Sequence, residues 1–174
     1  MKFAILIIIL LLSFSLQSAY SQSVTEPNIP ENTNGIIRMD LIRYAKIFLG
    51  IPYRRAGSNP KKGFDCSGFV NYVFKNFKIN LPRSSGAFVK LGVALKPEEF
   101  KVGDVLIFYG FKNKNRIGHV GIVCEADGLN SKFIHSASGK AHCITISDLA
   151  EGMYKQRFFK CIDVLDREKF VDSK

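Results

Sequence analysis

The spacing of the apolar residues changes character once along the chain. Ahead of Pro97 they recur every three or four positions, and beyond it they fall into short runs of strand type. Ile37, Leu41, Ala45 and Phe48 share one helical face, which predicts a helix over residues 36–49, stopped by Gly50 and Pro52. Phe69, Val70, Val73, Phe74 and Phe77 form a second stripe and predict a helix over 65–77, with Cys66 in its first turn. Residues 84–91 suit a third, short helix. Strands are expected at 104–109, 118–125, 132–136, 143–147 and 156–165, separated by Gly, Asn and Asp turns. Helices followed by neighbouring strands point to an α+β fold, with the helices packed on a central antiparallel sheet of about five strands.

A chain of 174 residues has room for one such domain and a leader. Residues 4–16 are almost unbroken apolar text behind Lys2, followed by Gln17, Ser18, Ala19, Tyr20 and Ser21. This is the pattern of a secretory signal peptide over residues 1–21, with Ala19 and Ser21 as the small residues before the cut. The run is shorter than the roughly 20 residues that span a hydrocarbon core. No cysteine follows it until Cys66, so lipid attachment has no residue to use. The expectation is an exported protein, periplasmic or extracellular, soluble, with no stable membrane anchor and monomeric. Residues 22–35, with Pro27, Pro30, Asn32 and Asn34, read as a flexible arm. The domain is expected over 36–165 and a frayed tail over 166–174.

The formal charge of +10 suits anionic polymers such as cell wall or headgroups, and serves solubility equally well. No DNA-binding motif or aromatic-rich basic ribbon accompanies it, so nucleic acid is not an expected partner. Lys112, Lys114 and Arg116 crowd one turn; they suit a solvated hairpin tip, or the steering of carboxylates toward a nearby site.

Four cysteines in an exported chain would ordinarily suggest two disulfides. Cys124, Cys143 and Cys161, however, sit in strand-like apolar text and are expected as free, buried thiols. Cys66 stands at a helix start, where unpaired backbone N–H groups and the helix dipole favour a thiolate. The same N–H groups would face an oxyanion developing on a bound carbonyl. Its base partner is sought among three histidines. His119, in Gly118-His119-Val120-Gly121, alternates to the face opposite Val120 and Ile122, with small neighbours that leave room for a substrate. His135 would lie on the next strand of a hairpin and orient His119. His142, in a turn-like Gly-Lys-Ala-His, is expected to be exposed and dispensable.

Six fragments occur in register: Gly50-Ile51-Pro52-Tyr53, Gly63-Phe64-Asp65-Cys66-Ser67-Gly68-Phe69-Val70, Leu81-Pro82-Arg83-Ser84-Ser85, Val102-Gly103-Asp104-Val105, Gly118-His119-Val120-Gly121-Ile122-Val123 and Phe133-Ile134-His135. Together, over residues 36–165, they resemble the NlpC family of bacterial cell-wall cysteine peptidases. The resemblance implies a papain-like fold and a triad of Cys66, His119 and His135, without metal or other cofactor. It implies hydrolysis of peptidoglycan stem peptides between γ-D-glutamate and the diamino acid. It further implies that Tyr53 helps bind the oxyanion or substrate, that Asp65 and Ser67 hold the substrate's amino end, and that Ser84 or Ser85 contacts the peptide. Each of these has a structural alternative: Asp65 and Ser84 suit helix caps, and Tyr53 suits packing in a turn.

Two stretches depart from the family pattern. Arg54-Arg55-Ala56-Gly57 replaces the usual aromatic and paired glycines, and the turn over 125–131 between the two histidines is long. The rival functions are an amidase cutting the sugar-to-peptide link or an acyltransferase on the same fold, a non-catalytic wall-binding protein, and a zinc site on Cys66, His119 and His135.

Overall fold

The computed structural model describes residues 31–166. The expected signal peptide (1–21), residues 22–30 of the arm and residues 167–174 of the tail lie outside the described residues. Helix α1 spans Glu31–Lys46 and so begins inside the segment expected as an arm. No proline follows Pro30 until Pro52, so the polar residues there can join the helix. It ends before the expected stop, in turns over 47–50 that close on Gly50 at φ 83°. Leu41, Ala45 and Phe48 are buried, as their spacing required.

Two short strands, β1 (Ser58–Asn59) and β2 (Gly63–Phe64), form a tight antiparallel ladder. It leads directly into helix α2, Cys66–Asn76, which buries Phe69, Val70, Val73 and Phe74. The third helix is a 3-10 helix, Ser85–Lys90, and another covers Pro97–Glu99. Then come β3 (Val105–Tyr109), β4 (Ile117–Glu125), β5 (Lys132–Ser136) and β6 (Ile144–Asp148). The segment expected as one strand over 156–165 divides into helix α3, Gly152–Arg157, and strand β7, Phe158–Ile162. Gln156 and Arg157 thus belong to the helix. Arg157 reaches back one turn to the Met153 sulfur, a spacing that only a helix brings together.

The five long strands form one antiparallel sheet in the order β6-β5-β4-β3-β7. Alternation along β3 and β4 divides the core. Val105, Ile107, Val120, Ile122 and Cys124 join the cluster that contains the apolar faces of α1 and α2. Leu106, Phe108 and Val123 join Phe133, Leu149 and Cys161 in a second cluster, against which Tyr154 and Phe158 pack.

Arg38 of α1 is buried, with Nη1 2.8 Å from Asp104 Oδ1 and Nη2 paired with Asp163. This triad clamps α1 to the entry of β3 and to the chain just after β7. Among the described residues no helix is long and apolar enough to cross a membrane. All four cysteines are free. Cys143 corrects the expectation of a buried thiol: it is half-buried, one residue ahead of β6, in an isolated bridge to Pro52.

Candidate active site

The chain is pinned on both sides of the start of α2. Asp65 has extended backbone angles and caps the helix, accepting from the Gly68 N–H at 2.7 Å. Arg83 grips the same carboxylate through two parallel bonds, Nη1 to Oδ1 at 2.9 Å and Nη2 to Oδ2 at 2.8 Å, and also donates to the Gly57 carbonyl at 3.1 Å. Ser67 is buried and donates to the Arg83 carbonyl at 2.8 Å. A Cβ on Gly68 would lie 2.1 Å from the Gly57 carbonyl oxygen, so the turn can seat on the helix only over glycine. From the sheet side, the Ser136 hydroxyl donates to the Phe64 carbonyl at 2.7 Å, two residues before Cys66.

Cys66 is thereby held against β4. The β4–β5 ladder runs from Ile122↔Ile134 to Glu125↔Lys132, and ahead of it the Val120 N–H lies close enough to the Cys66 sulfur to favour its thiolate. The thiol thus touches the backbone immediately after His119. Its pKa departs from the expectation of an acidified thiol. Burial and the neighbouring Asp65 charge raise it, and the N–H groups of Val120, Ser67 and Cys66 itself only partly offset this. The helix start provides the predicted donors, but the sulfur is too well covered for them to prevail.

His119 lies on the face away from Val120 and Ile122, as its alternation predicted, and is buried. Its Nε2 is 2.9 Å from His135 Nδ1, with the rings at 90°. His135 is fully buried and stacked on Phe133, and its Nε2 lies 3.0 Å from the Ser147 hydroxyl, which in turn bonds Tyr154. The long turn between the two strands therefore does not keep the histidines apart. Burial first, then the charges of His135 and Arg157, hold His119 well below its ordinary pKa. Burial and Arg157 push His135 down to about 3. Both rings are neutral at physiological pH, so each has one N–H and one bare nitrogen. If His119 donates from Nε2, His135 must accept at Nδ1 and donate from Nε2 to Ser147, which leaves His119 Nδ1 bare to take a proton.

The glycines beside His119 serve packing more than space. A Cβ on Gly121 would lie 2.5 Å from the Phe133 ring and 3.1 Å from His135 Cβ, and one on Gly118 would lie 2.5 Å from Gly110 Cα. Tyr53 is half-buried, its N–H donating to the His142 carbonyl at 2.9 Å. Burial raises its pKa, and so do the charges of Cys66 and Asp65, which marks it as a neighbour of both. His142 is exposed at φ 49°, its ring 5.5 Å from that of Tyr53. Ser84 and Ser85 open the 3-10 helix; Ser84 is exposed and its hydroxyl makes no capping bond. The residue of that segment that reaches Asp65 and Ser67 is Arg83. Lys112, Lys114 and Arg116 are exposed in the β3–β4 turn.

Sequence reasoning missed Arg83, Ser136, Ser147, Tyr154 and Arg157. Only Arg83 carried a signal, as part of a quoted fragment; the others act through partners distant in the chain. The two histidines face each other in a hydrogen bond rather than converging on a common point. Among the described residues no group of three or more His, Cys, Asp or Glu is placed to hold a metal ion.

The family model described as the NlpC/P60 family matches residues 50–163. Gamma-DL-glutamyl hydrolase of Bacillus subtilis is 39% identical over 108 residues, which is 60% of this chain and 25% of that protein. Gamma-D-glutamyl-L-lysine dipeptidyl-peptidase of Bacillus cereus is 42% identical over 81 residues, 47% of this chain and 24% of that one. The chain thus spans about a quarter of the length of these relatives. A crystal structure of an NlpC/P60 family protein from Bacillus cereus superposes with a TM-score of 0.65 at 34% identity, over 74% of this chain and 40% of that one. With a family match across the helix start at Cys66 and both histidine strands, and a fold shared with that structure, this chain belongs to the NlpC/P60 family.

Proposed function

We propose that the protein is an exported cysteine peptidase that hydrolyses peptidoglycan stem peptides at the bond between γ-D-glutamate and the diamino acid. The observation that carries this reading is the thiol of Cys66 at the first turn of α2, beside the β4 backbone next to His119, whose Nε2 is engaged by buried His135. The bond and the substrate class are supported by the names of the relatives, two of which denote glutamyl hydrolysis. The signal-like pattern of residues 1–21 supports export.

Cys66 is the nucleophile. Because its pKa is raised and that of His119 lowered, the resting pair is thiol and imidazole rather than an ion pair. The thiol proton passes to His119 Nδ1 as sulfur attacks the amide carbonyl. The first-turn N–H groups, with Tyr53, receive the oxyanion. His119 then gives its proton to the departing amine, leaving a thioester on Cys66. Water, deprotonated by the same nitrogen, cleaves the thioester and restores the thiol. His135 orients His119. Asp65 and Ser67 meet the substrate's amino end, with Asp65 already shaped by Arg83, and Ser84 or Ser85 contacts the peptide. No step calls for a metal.

The test is digestion of purified stem peptides still joined to their N-acetylmuramic acid with the protein and its Cys66→Ala variant, reading the new termini by mass spectrometry. A new amine on the diamino acid, absent in the variant, is the expected result. A new amine on the first alanine would assign an amidase instead, and undiminished turnover by the variant would remove Cys66 as nucleophile.

A further inference from the structure

A cleft of about 510 Å³ opens beside His119, walled by the β5–β6 loop, β6 and α3. His119 lines it and Cys66 does not, so a substrate reaches it from the thiol by crossing the base. The departing amine takes its proton from His119, so on the proposed peptidase reading, on which this inference rests, the leaving half of the substrate occupies this cleft. The Asp65–Arg83 pair belongs to the segment that leads into α2 and takes no part in its walls.

The walls carry positive charge without a negative counterpart. Lys140 and Arg157 line the cleft, and no Asp or Glu does. Arg157 is nine-tenths buried at 9% exposure. Its Nε donates to the Tyr109 carbonyl at 2.8 Å, one Nη meets only the Met153 sulfur at 3.5 Å, and its guanidinium stands 6.0 Å from the centre of the Phe111 ring. Among the described residues it makes no ion pair with a carboxylate. A cation taken this far out of water without a counter-charge is costly, and the planar guanidinium is the side chain best matched to a carboxylate. Every other buried charge of the described fold is matched: Arg38 has Asp104 and Asp163.

We infer that Arg157, with Lys140 at the rim, binds a free carboxylate on the leaving half of the substrate, so that the enzyme prefers stem peptides whose chain ends within this cleft. A cleft of about 510 Å³ has room for one or two residues beyond the scissile bond. Met153, Tyr154 and Phe111 supply apolar walls for the stem of the diamino side chain. The charge of Arg157 also opposes protonation of His119 and His135. A bound carboxylate would neutralise it at the moment His119 must hold the thiol proton, so the preference should appear in kcat as well as in KM.

The experiment uses four peptides: L-Ala-γ-D-Glu-L-Lys and the same peptide extended by D-Ala, each as free acid and as C-terminal amide. Hydrogen bonds to a charged group of this kind correspond to about 10- to 100-fold in kcat/KM, and that acid preference is expected in at least one pair. In Arg157→Gln the ratio of acid to amide should fall to within about twofold, a quantity that does not depend on how much of the variant is folded. The comparison within the unaltered protein stands even if the variant cannot be made. Cleavage of acid and amide at equal rates in both pairs overturns the carboxylate site and leaves the peptidase reading intact. An acid preference that survives unchanged in Arg157→Gln overturns the assignment to Arg157. Failure to cleave any of the four takes down both readings.

Discussion

Nε2 of His119 and Nδ1 of His135 lie 2.9 Å apart, with the two rings perpendicular, so one nitrogen of the proposed base is committed to its neighbour and only Nδ1 is left to take the Cys66 proton in the proposed mechanism. His135→Ala should lower kcat by about 10²- to 10⁴-fold with little change in KM, because His119 then loses both orientation and preferred tautomer. His135→Asn, which keeps an acceptor, should recover part of the loss. Steady-state kinetics on a stem peptide checks both; an alanine variant within about twofold of the parent would show that the contact is structural only.

Ser147 sets the tautomer one step further out. In the proposed tautomer its hydroxyl, 3.0 Å from His135 Nε2, is the acceptor that lets His135 keep its proton there and present a bare Nδ1 to His119. Ser147→Ala should lower kcat by about tenfold, and Ser147→Thr should restore most of it. Nitrogen-15 NMR of the histidine rings should show His135 protonated at Nε2 in the parent and a mixture in the alanine variant. An unchanged tautomer in that variant would assign the proton to another cause.

Three buried groups give the stability opposing pH dependences. His135 is held at about 3, against an ordinary value of 6.5, so on acidification below 6.5 the unfolded chain takes its proton first and stability is lost. His119 is shifted in the same sense. Asp104, raised to about 6 mainly by burial, acts the other way: the native state protonates first, and stability rises as pH falls from about 6 toward 3.8. Each group has a limiting slope of about 1.4 kcal/mol per pH unit, so between pH 6 and 4 Asp104 offsets one of the two histidines and the parent still loses stability on acidification. Asp104→Asn removes one side of the balance. Urea titrations should then show its stability falling more steeply than the parent's below pH 6, by up to about 1 kcal/mol per unit. Parallel curves would mean that Asp104 does not titrate in this window.

Gly121 packs where a side chain cannot. Gly121→Ala places a methyl 2.5 Å from the Phe133 ring, on which His135 is stacked, and should cost about 1 to 3 kcal/mol of stability together with some activity. Gly139→Ala has nothing within 4 Å of the new methyl and should be close to neutral. Denaturation midpoints of the two variants make the comparison.

Local text was enough for much of the architecture. The change from helical to strand spacing foretold an α+β fold, because periodicity reports which side of an element is buried without naming what covers it. For the same reason the start of α2 at Cys66 and the strands of His119 and His135 were legible, as was the face on which His119 lies. Helix α3 was not, since six residues give too short a run for a period and the apolar Phe158-Phe159 beyond them reads as strand throughout.

What the chain determined by itself was the order of its elements and the placement of thiol and imidazoles on them, since both follow from neighbours within a turn or two. Tertiary structure alone decided the charge balance of the site. The helix tip acidifies a thiol in principle, but the covering of Cys66 by β4 and the nearness of Asp65 reverse the net shift. Ser147 and Arg157 carry no signal in their own text, and each meets the histidines only when β6 and α3 fold against them. Burial and Coulomb interactions sum over everything within reach in space, and no window along the sequence contains that sum.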